Sequence, residues 1–173
     1  MVTSISPGPF IPMLVDMTPS LVLVNSYFDS IANGISKYED PLRKAVREVV
    51  IPSIQTNFRV SGRPAWKPLS EATNEIRSRL GGGSGILVKS GSLESAMGNE
   101  NLWQFSSDEA VLAGLPSDVW YGIIHQSGYE GGGGANPIPA RPFAVLQAED
   151  EDKIDEIFVE WLGEVIDDGW PGI

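Results

Sequence analysis

The chain contains no cysteine and a single histidine, His125. The first absence removes disulfides, thiolate nucleophiles and Cys-based zinc sites together. The second denies any ordinary zinc site its set of imidazoles. Long hydrophobic runs are also missing. Stretches such as Leu21 to Val24 are far too short to span a bilayer. Met1 to Phe10 carries no basic region ahead of an apolar one, so the default expectation is a protein made in the cytosol. Positive charge is scarce as well. Twelve Lys and Arg stand against 23 Asp and Glu, a formal net charge of −11. Such a chain is repelled by nucleic acid at long range, which argues against sequence-specific DNA binding. It does not argue against DNA moving past the protein, because an acidic wall repels phosphates and lets DNA slide.

What is present suits one globular domain. The chain has 173 residues, 42% of them hydrophobic, with five Trp, six Phe and four Tyr to fill a core. Residues 1–19 read as an extended arm. Pro7, Pro9, Pro12 and Pro19 punctuate it, and it carries the apolar pair Phe10 and Ile11. Such an arm packs either on its own domain or on a neighbouring subunit. Residues 20–173 are then the domain proper. Leu23, Tyr27, Phe28, Ile31 and Ile35 recur at helical spacing, with Gly34 as a weak point. Asp40-Pro41 predicts a second helix start with Asp40 as N-cap, and Pro52 predicts its kink or end. Ser61 to Pro68 is a turn-rich connector holding Trp66. Leu69 to Leu80 reads as a helix capped by Ser70, and Ser90 to Gly98 as a short helix or turn with Leu93 and Met97 four apart. Asn101 to Ser106 and Glu109 to Ala113 predict a hairpin. Val119 to Gln126 is a short helix or irregular segment. Gly131 to Gly134 is a mobile loop, and Asn136 to Pro142 is extended by its prolines.

The last helix is the clearest element. Ile154, Ile157, Phe158, Trp161, Leu162, Val165 and Ile166 form one apolar stripe, with Asp155, Glu156, Glu160 and Glu164 opposite. Glu149 to Asp152 sit at its start, where the helix dipole favours negative charge. The order of elements predicts an α+β fold: helices packed on a small antiparallel β-sheet, with this C-terminal amphipathic helix closing across it and the N-terminal arm extended.

Motifs for chemistry are few. The GGGSG run, Gly81 to Gly85, lacks the Gly-Lys-Ser/Thr ending of a phosphate loop and reads as a connector. The acidic residues of the last helix do not follow calcium-loop spacing. A pair of them at a glycosidic bond is a poorer reading than a solvated helix face. His125 suits a Ser-His-Asp hydrolase only if the fold brings it a nucleophile and an acid. The competing reading is a hydrogen-bonding role within the fold or at an interface. Arg43, Lys44 and Arg47 form a basic island on one helix, read as a patch that pairs with acidic surface in the chain or on a neighbour. No cofactor or metal is expected.

Three segments form a pattern when taken in order. The first is Trp66-Lys67-Pro68-Leu69-Ser70-Glu71-Ala72-Thr73, followed by Arg77. The second runs from Ile86 through Leu87, Val88, Lys89, Ser90 and Gly91 to Leu93. The third runs from Tyr121 through His125, Gln126, Ser127 and Gly128 to Ile138-Pro139-Ala140-Arg141-Pro142-Phe143. This resembles the phage virion morphogenesis family, also called tail completion proteins, across residues 40–165. That family shows W-x-P-L-S-x-x-T, I-L-x-x-[ST]-G-x-L, Y-A-x-x-H-Q-x-G and I-P-A-R-P-F. Gly122 departs from the pattern, which has alanine there.

The resemblance implies a structural virion protein, not an enzyme, made in the host bacterial cytoplasm and placed at the neck of a tailed bacteriophage. It would complete or terminate the tail and join it to the head as a homo-oligomeric ring, six subunits or twelve, around the DNA channel. Its partners would be itself, neighbouring neck proteins and the tail tube or sheath. The alternatives are an assembly factor absent from the mature virion and, further off, a small hydrolase using His125. Within this picture the expected interface residues are Phe10, Ile11, Arg43, Lys44, Arg47, Trp66, His125, Gln126, Ile138, Pro139, Arg141, Pro142 and Phe143. The prolines pre-order the IPARPF segment, so it loses little entropy on docking. Arg141 is expected to grip a carboxylate or backbone carbonyls, and Phe143 to anchor in the core.

Overall fold

A computed structural model describes residues 20–81, 85–105, 111–133 and 136–169. The expected arm, with Phe10 and Ile11, lies outside them. Helix α1 spans Leu21–Ile35, and the Ser20 hydroxyl caps it by accepting from the Leu23 amide at 3.3 Å. Helix α2 spans Glu39–Ala45. Asp40 is not its N-cap. The helix begins two residues earlier, with Tyr38 at the N-cap position, and the Asp40 amide is already bonded to the Lys37 carbonyl in the preceding turn. Glu39 and Asp40 instead place their charge in the first turn, where the dipole favours it.

Pro52 does not end the helix. A π-helical stretch, Val46–Val50, follows α2, and α3 continues over Ile51–Val60 with Pro52 in its first turn. The wider turn makes room for the proline ring and absorbs its missing N–H. Helix α3 ends at Ser61, in the left-handed region at φ 62°. Gly62 follows with φ 97°, and the Trp66 ring lies where its Cβ would be. Helix α4 spans Glu71–Leu80, with Ser70 as its cap. Helix α5 spans Ser92–Met97, and both Leu93 and Met97 reach the core. Helix α6 is Tyr121–Ser127 and helix α7 is Ala148–Gly169.

The expected sheet platform is overturned. Strands β1 (Trp103–Phe105) and β2 (Val111–Ala113) are three residues each and pair only with one another, Trp103 opposite Ala113. The pair is too small to serve as a platform for the helices, and most of the described residues are helical. The reason lies in the segments that would have widened the ladder. Pro116, Pro137, Pro139 and Pro142 lack the amide donors a central strand needs.

The core forms between helices and the extended 136–147 segment. Val46, Ile51, Ile54, Phe58, Trp66, Leu93, Met97, Trp103 and Phe143 build its larger part. Ala45, Val49 and Ile157 form a smaller part under α7. Helix α7 packs on α1 and α2. Gly34, a weak point for helix propensity, is where α1 approaches α7: a Cβ there would fall 2.5 Å from Val165 Cγ1. Of the predicted stripe on α7, Ile157 is buried, whereas Leu162 and Ile166 stay 40% and 46% exposed.

Candidate functional site

The three motif segments, far apart in sequence, converge on one extended strap, residues 138–147. The grips on the strap come from the Ser61–Pro68 connector and from α6. Trp66 donates from Nε1 to the Pro142 carbonyl at 2.9 Å. Its ring meets Phe58 edge-on, and Phe58 stacks on Phe143 at 5.4 Å. Gln126 on α6 accepts from the Phe143 and Ala144 amides through one oxygen, at 3.0 and 3.1 Å. The Arg141 amide donates to the His125 carbonyl at 2.7 Å. Its guanidinium donates to the Lys67 and Pro68 carbonyls at 3.0 and 3.4 Å. Of the two partners foreseen for Arg141, the fold thus supplies the backbone carbonyls, and Phe143 sits in the core at 3% exposure.

Beneath the strap lies a polar network that the sequence did not announce. Asn57 is fully buried. Its Nδ2 donates to the Phe143 and Val145 carbonyls at 2.9 and 3.0 Å, and its Oδ1 accepts from Arg63 Nε at 2.8 Å. Arg63 also donates to Ser53 and lies 3.7 Å from the buried Asp150 carboxylate. Asp150 accepts from the Ser53 hydroxyl and from the Gln147 amide. Burial pushes the Asp150 carboxyl up, but these hydrogen bonds and the Arg63 and Lys153 charges outweigh it and hold it below its ordinary value. The network ties the start of α7 to α3 and to the Ser61–Pro68 connector.

On the other side of Arg141 the elements leave a recess of about 360 Å³. Leu69, Arg77, Leu87, Lys89, Ser90, Tyr121, His125 and Arg141 line it. Leu87 adopts φ 64°, a conformation a branched side chain takes only when its surroundings hold it there. The His125 Nδ1 is buried with no hydrogen-bond partner among the described residues. Burial, then the charges of Arg141 and Arg77, lower its pKa, so the imidazole stays neutral to a lower pH than usual. None of the lining residues is acidic, so among the described residues the recess brings His125 no acid of the kind a Ser-His-Asp system requires. Among the same residues no cluster of His, Asp and Glu is arranged to hold a metal.

The remaining expected interface residues lie elsewhere. Arg43 pairs with Glu39 and sits over the Phe105 ring, Lys44 pairs with Glu160 on α7, and Arg47 lies 3.8 Å from Glu48. The basic island is therefore matched within the chain. Ile138 bridges Tyr129 backbone to backbone, and Pro139 is half-buried beside it. Asn57, Ser53, Arg63 and Asp150 were missed because a polar residue on an apolar helix face carries no local sign of its partner. Arg77 and Lys89 stood inside the motif segments, and that was the available signal.

The Gly122 departure has a packing cause. A Cβ there would fall 2.8 Å from both Leu93 Cδ1 and Leu115 Cδ1. Gly122→Ala is expected to destabilise the chain by about 1–3 kcal/mol through overpacking. Urea denaturation checks it, and an unchanged midpoint would show that the two leucines yield freely.

Comparison with known proteins agrees with this arrangement. The model of the phage virion morphogenesis family matches residues 23–163, which adds α1 to the span recognisable from motifs. The chain is 32% identical over 112 residues to Mu-like prophage FluMu G protein 2 of Haemophilus influenzae, covering 64% of this chain and 69% of that protein. No solved structure matches significantly. Among the described residues no helix is long and apolar enough to cross a membrane. With the family model spanning most of the chain, and its motifs meeting on one strap, this protein belongs to the phage virion morphogenesis family.

Proposed function

We propose that the chain completes the tail of a bacteriophage and joins it to the head, assembling with copies of itself into a ring at the neck through which DNA passes. Membership of a virion morphogenesis family supports the assembly role. The ring itself is suggested by the surface. Helix α1 leaves Leu21, Val22, Phe28 and Ile35 exposed, and α7 leaves Val159, Leu162 and Ile166 exposed. Apolar side chains grouped this way on two packed helices mark a surface covered by another chain. Because Trp66 and Phe143 are committed to the core, they are closed to a neighbour, and these helix faces are where the subunit meets one. The IPARPF segment then acts as an internal brace.

Sedimentation velocity across a concentration series tests the reading. A discrete species of six or twelve subunits is the expected result, and Phe28→Asp with Leu162→Asp should return it to monomer. A chain that stays monomeric at every concentration and is missing from purified virions would overturn it. Assembly in solution without presence in virions would leave the second reading, an assembly factor that departs before the particle is complete.

A further inference from the structure

We infer that the recess lined by Arg77, Lys89, Tyr121, His125 and Arg141 receives a carboxylate from the acidic helix α7 of a second copy of the chain. The inference rests on the self-assembling reading above and names one contact within it. Three of the chain's twelve Lys and Arg residues line this single recess, and no acidic residue does. Among the described residues, no carboxylate lies within ion-pair distance of Lys89 or Arg141. By contrast Arg43, Lys44, Arg47, Arg63 and Arg79 each have one. Arg141 uses two of its five N–H donors on carbonyls, which leaves its charge without a counter-ion. The partnerless Nδ1 of His125 belongs to the same wall. A comparable recess between α2 and α7, about 490 Å³, is lined by Lys44, Lys153, Glu48, Glu156 and Glu160, so its charges answer one another.

The two signs of charge are also segregated by element. The recess belongs to α4, the 85–90 loop, α6 and Arg141, whereas α7 packs on α1 and α2. Helix α7 exposes Glu151, Asp152, Asp155 and Glu156. A cationic recess on one set of elements and an acidic helix on another suit a head-to-tail contact, which closes into a ring when its rotation permits. A carboxylate fits better than a DNA phosphate. Duplex binding needs a track of cations that neutralises many phosphates, and this chain offers one isolated recess on a body of net charge −11.

The test uses the whole chain and two readouts. His125 is the sole histidine, so its ring Hε1 proton gives one assignable resonance. Hexaglutamate should shift that resonance saturably, with inorganic phosphate weaker and a short DNA duplex inert. Lys89→Glu should weaken both the hexaglutamate titration and self-association at least about tenfold. Lys89 is exposed, and Lys89→Gln should fall between it and wild type. A resonance that moves with the duplex and not with hexaglutamate would reassign the recess to nucleic acid. Full-strength assembly of Lys89→Glu would overturn the contact while leaving the ring intact. A wild type that never assembles would remove the second-copy occupant, and its absence from purified virions as well would remove the ring.

Discussion

Asn57→Ala is expected to lower stability by about 3 kcal/mol or more, the largest loss from any single polar side chain here. All of the side chain's described bonds are to groups at least partly buried. Its removal orphans two carbonyls of the strap, at Phe143 and Val145, and the Arg63 Nε–H. Each orphaned group forfeits about 1–3 kcal/mol, less whatever an entering water restores. Against the ~5–15 kcal/mol that holds a typical domain, this is a large fraction. For a chain of this size it means a fall in melting temperature of roughly 6–12 °C. Asn57→Asp should cost more. It keeps an acceptor for Arg63 but turns a carboxylate oxygen toward two carbonyl oxygens in a site closed to water. Thermal melts by circular dichroism decide the point. A midpoint for Asn57→Ala within 2 °C of wild type would mean that the strap is held by Trp66, Gln126 and Arg141 without help from below.

The second large effect is a dependence of stability on pH that appears in two separate windows. Asp150 has a folded pKa below its ordinary value of 3.8. The unfolded chain therefore takes the proton first. Its contribution is complete above the unfolded value and is lost as pH falls through the folded one. His125 also has a folded pKa below its ordinary 6.5, but it is a base. The fold holds it neutral, and the unfolded chain gains a proton as pH drops below 6.5. Stability is thus complete above that value and declines as pH falls from it toward the folded pKa. Urea denaturation across the acid range should show an upper step that His125→Phe abolishes and a lower step that Asp150→Asn abolishes. At neutral pH Asp150→Asn should also cost about 1–3 kcal/mol, since it breaks the inner ion pair and leaves Arg63 only the largely exposed Glu149 as counter-ion. The exposed Lys44–Glu160 pair also titrates, but salt screens it, so working at physiological ionic strength isolates the buried groups. A single step unaffected by either substitution would show that neither group is coupled to folding.

Both predictions concern residues that no local pattern singles out, and the contrast with what was legible is instructive. Helices α4 and α7 could be read from spacing alone, because a 3.6-residue period and a capping serine are properties of neighbours in sequence. Ser70 caps α4 as its position demanded, and Leu93 with Met97 faces the core as their separation demanded. The hairpin was legible as a pair of β-rich segments. Its size was not, since whether a ladder widens depends on what lies beside it. Pro52 misled in the same way. Its missing N–H is a local fact, but the π-helical remedy at Val46–Val50 draws on the packing of α2 and α3 against the core.

The sequence by itself determined the family, the helical periods, the acidic balance and the extended character of residues 136–142. Each is carried by residue order or composition, with no need for a distant contact. Tertiary structure alone decided which carbonyls Trp66 and Arg141 meet, more than 70 residues away in Pro142, Lys67 and Pro68. It also decided that Arg43, Lys44 and Arg47 are matched within the chain, and that a cationic recess forms from residues spread between 69 and 141. The physical reason is the same in each case. The partner of a buried polar group or a charge is set by which surfaces pack together, and packing is a property of the folded whole.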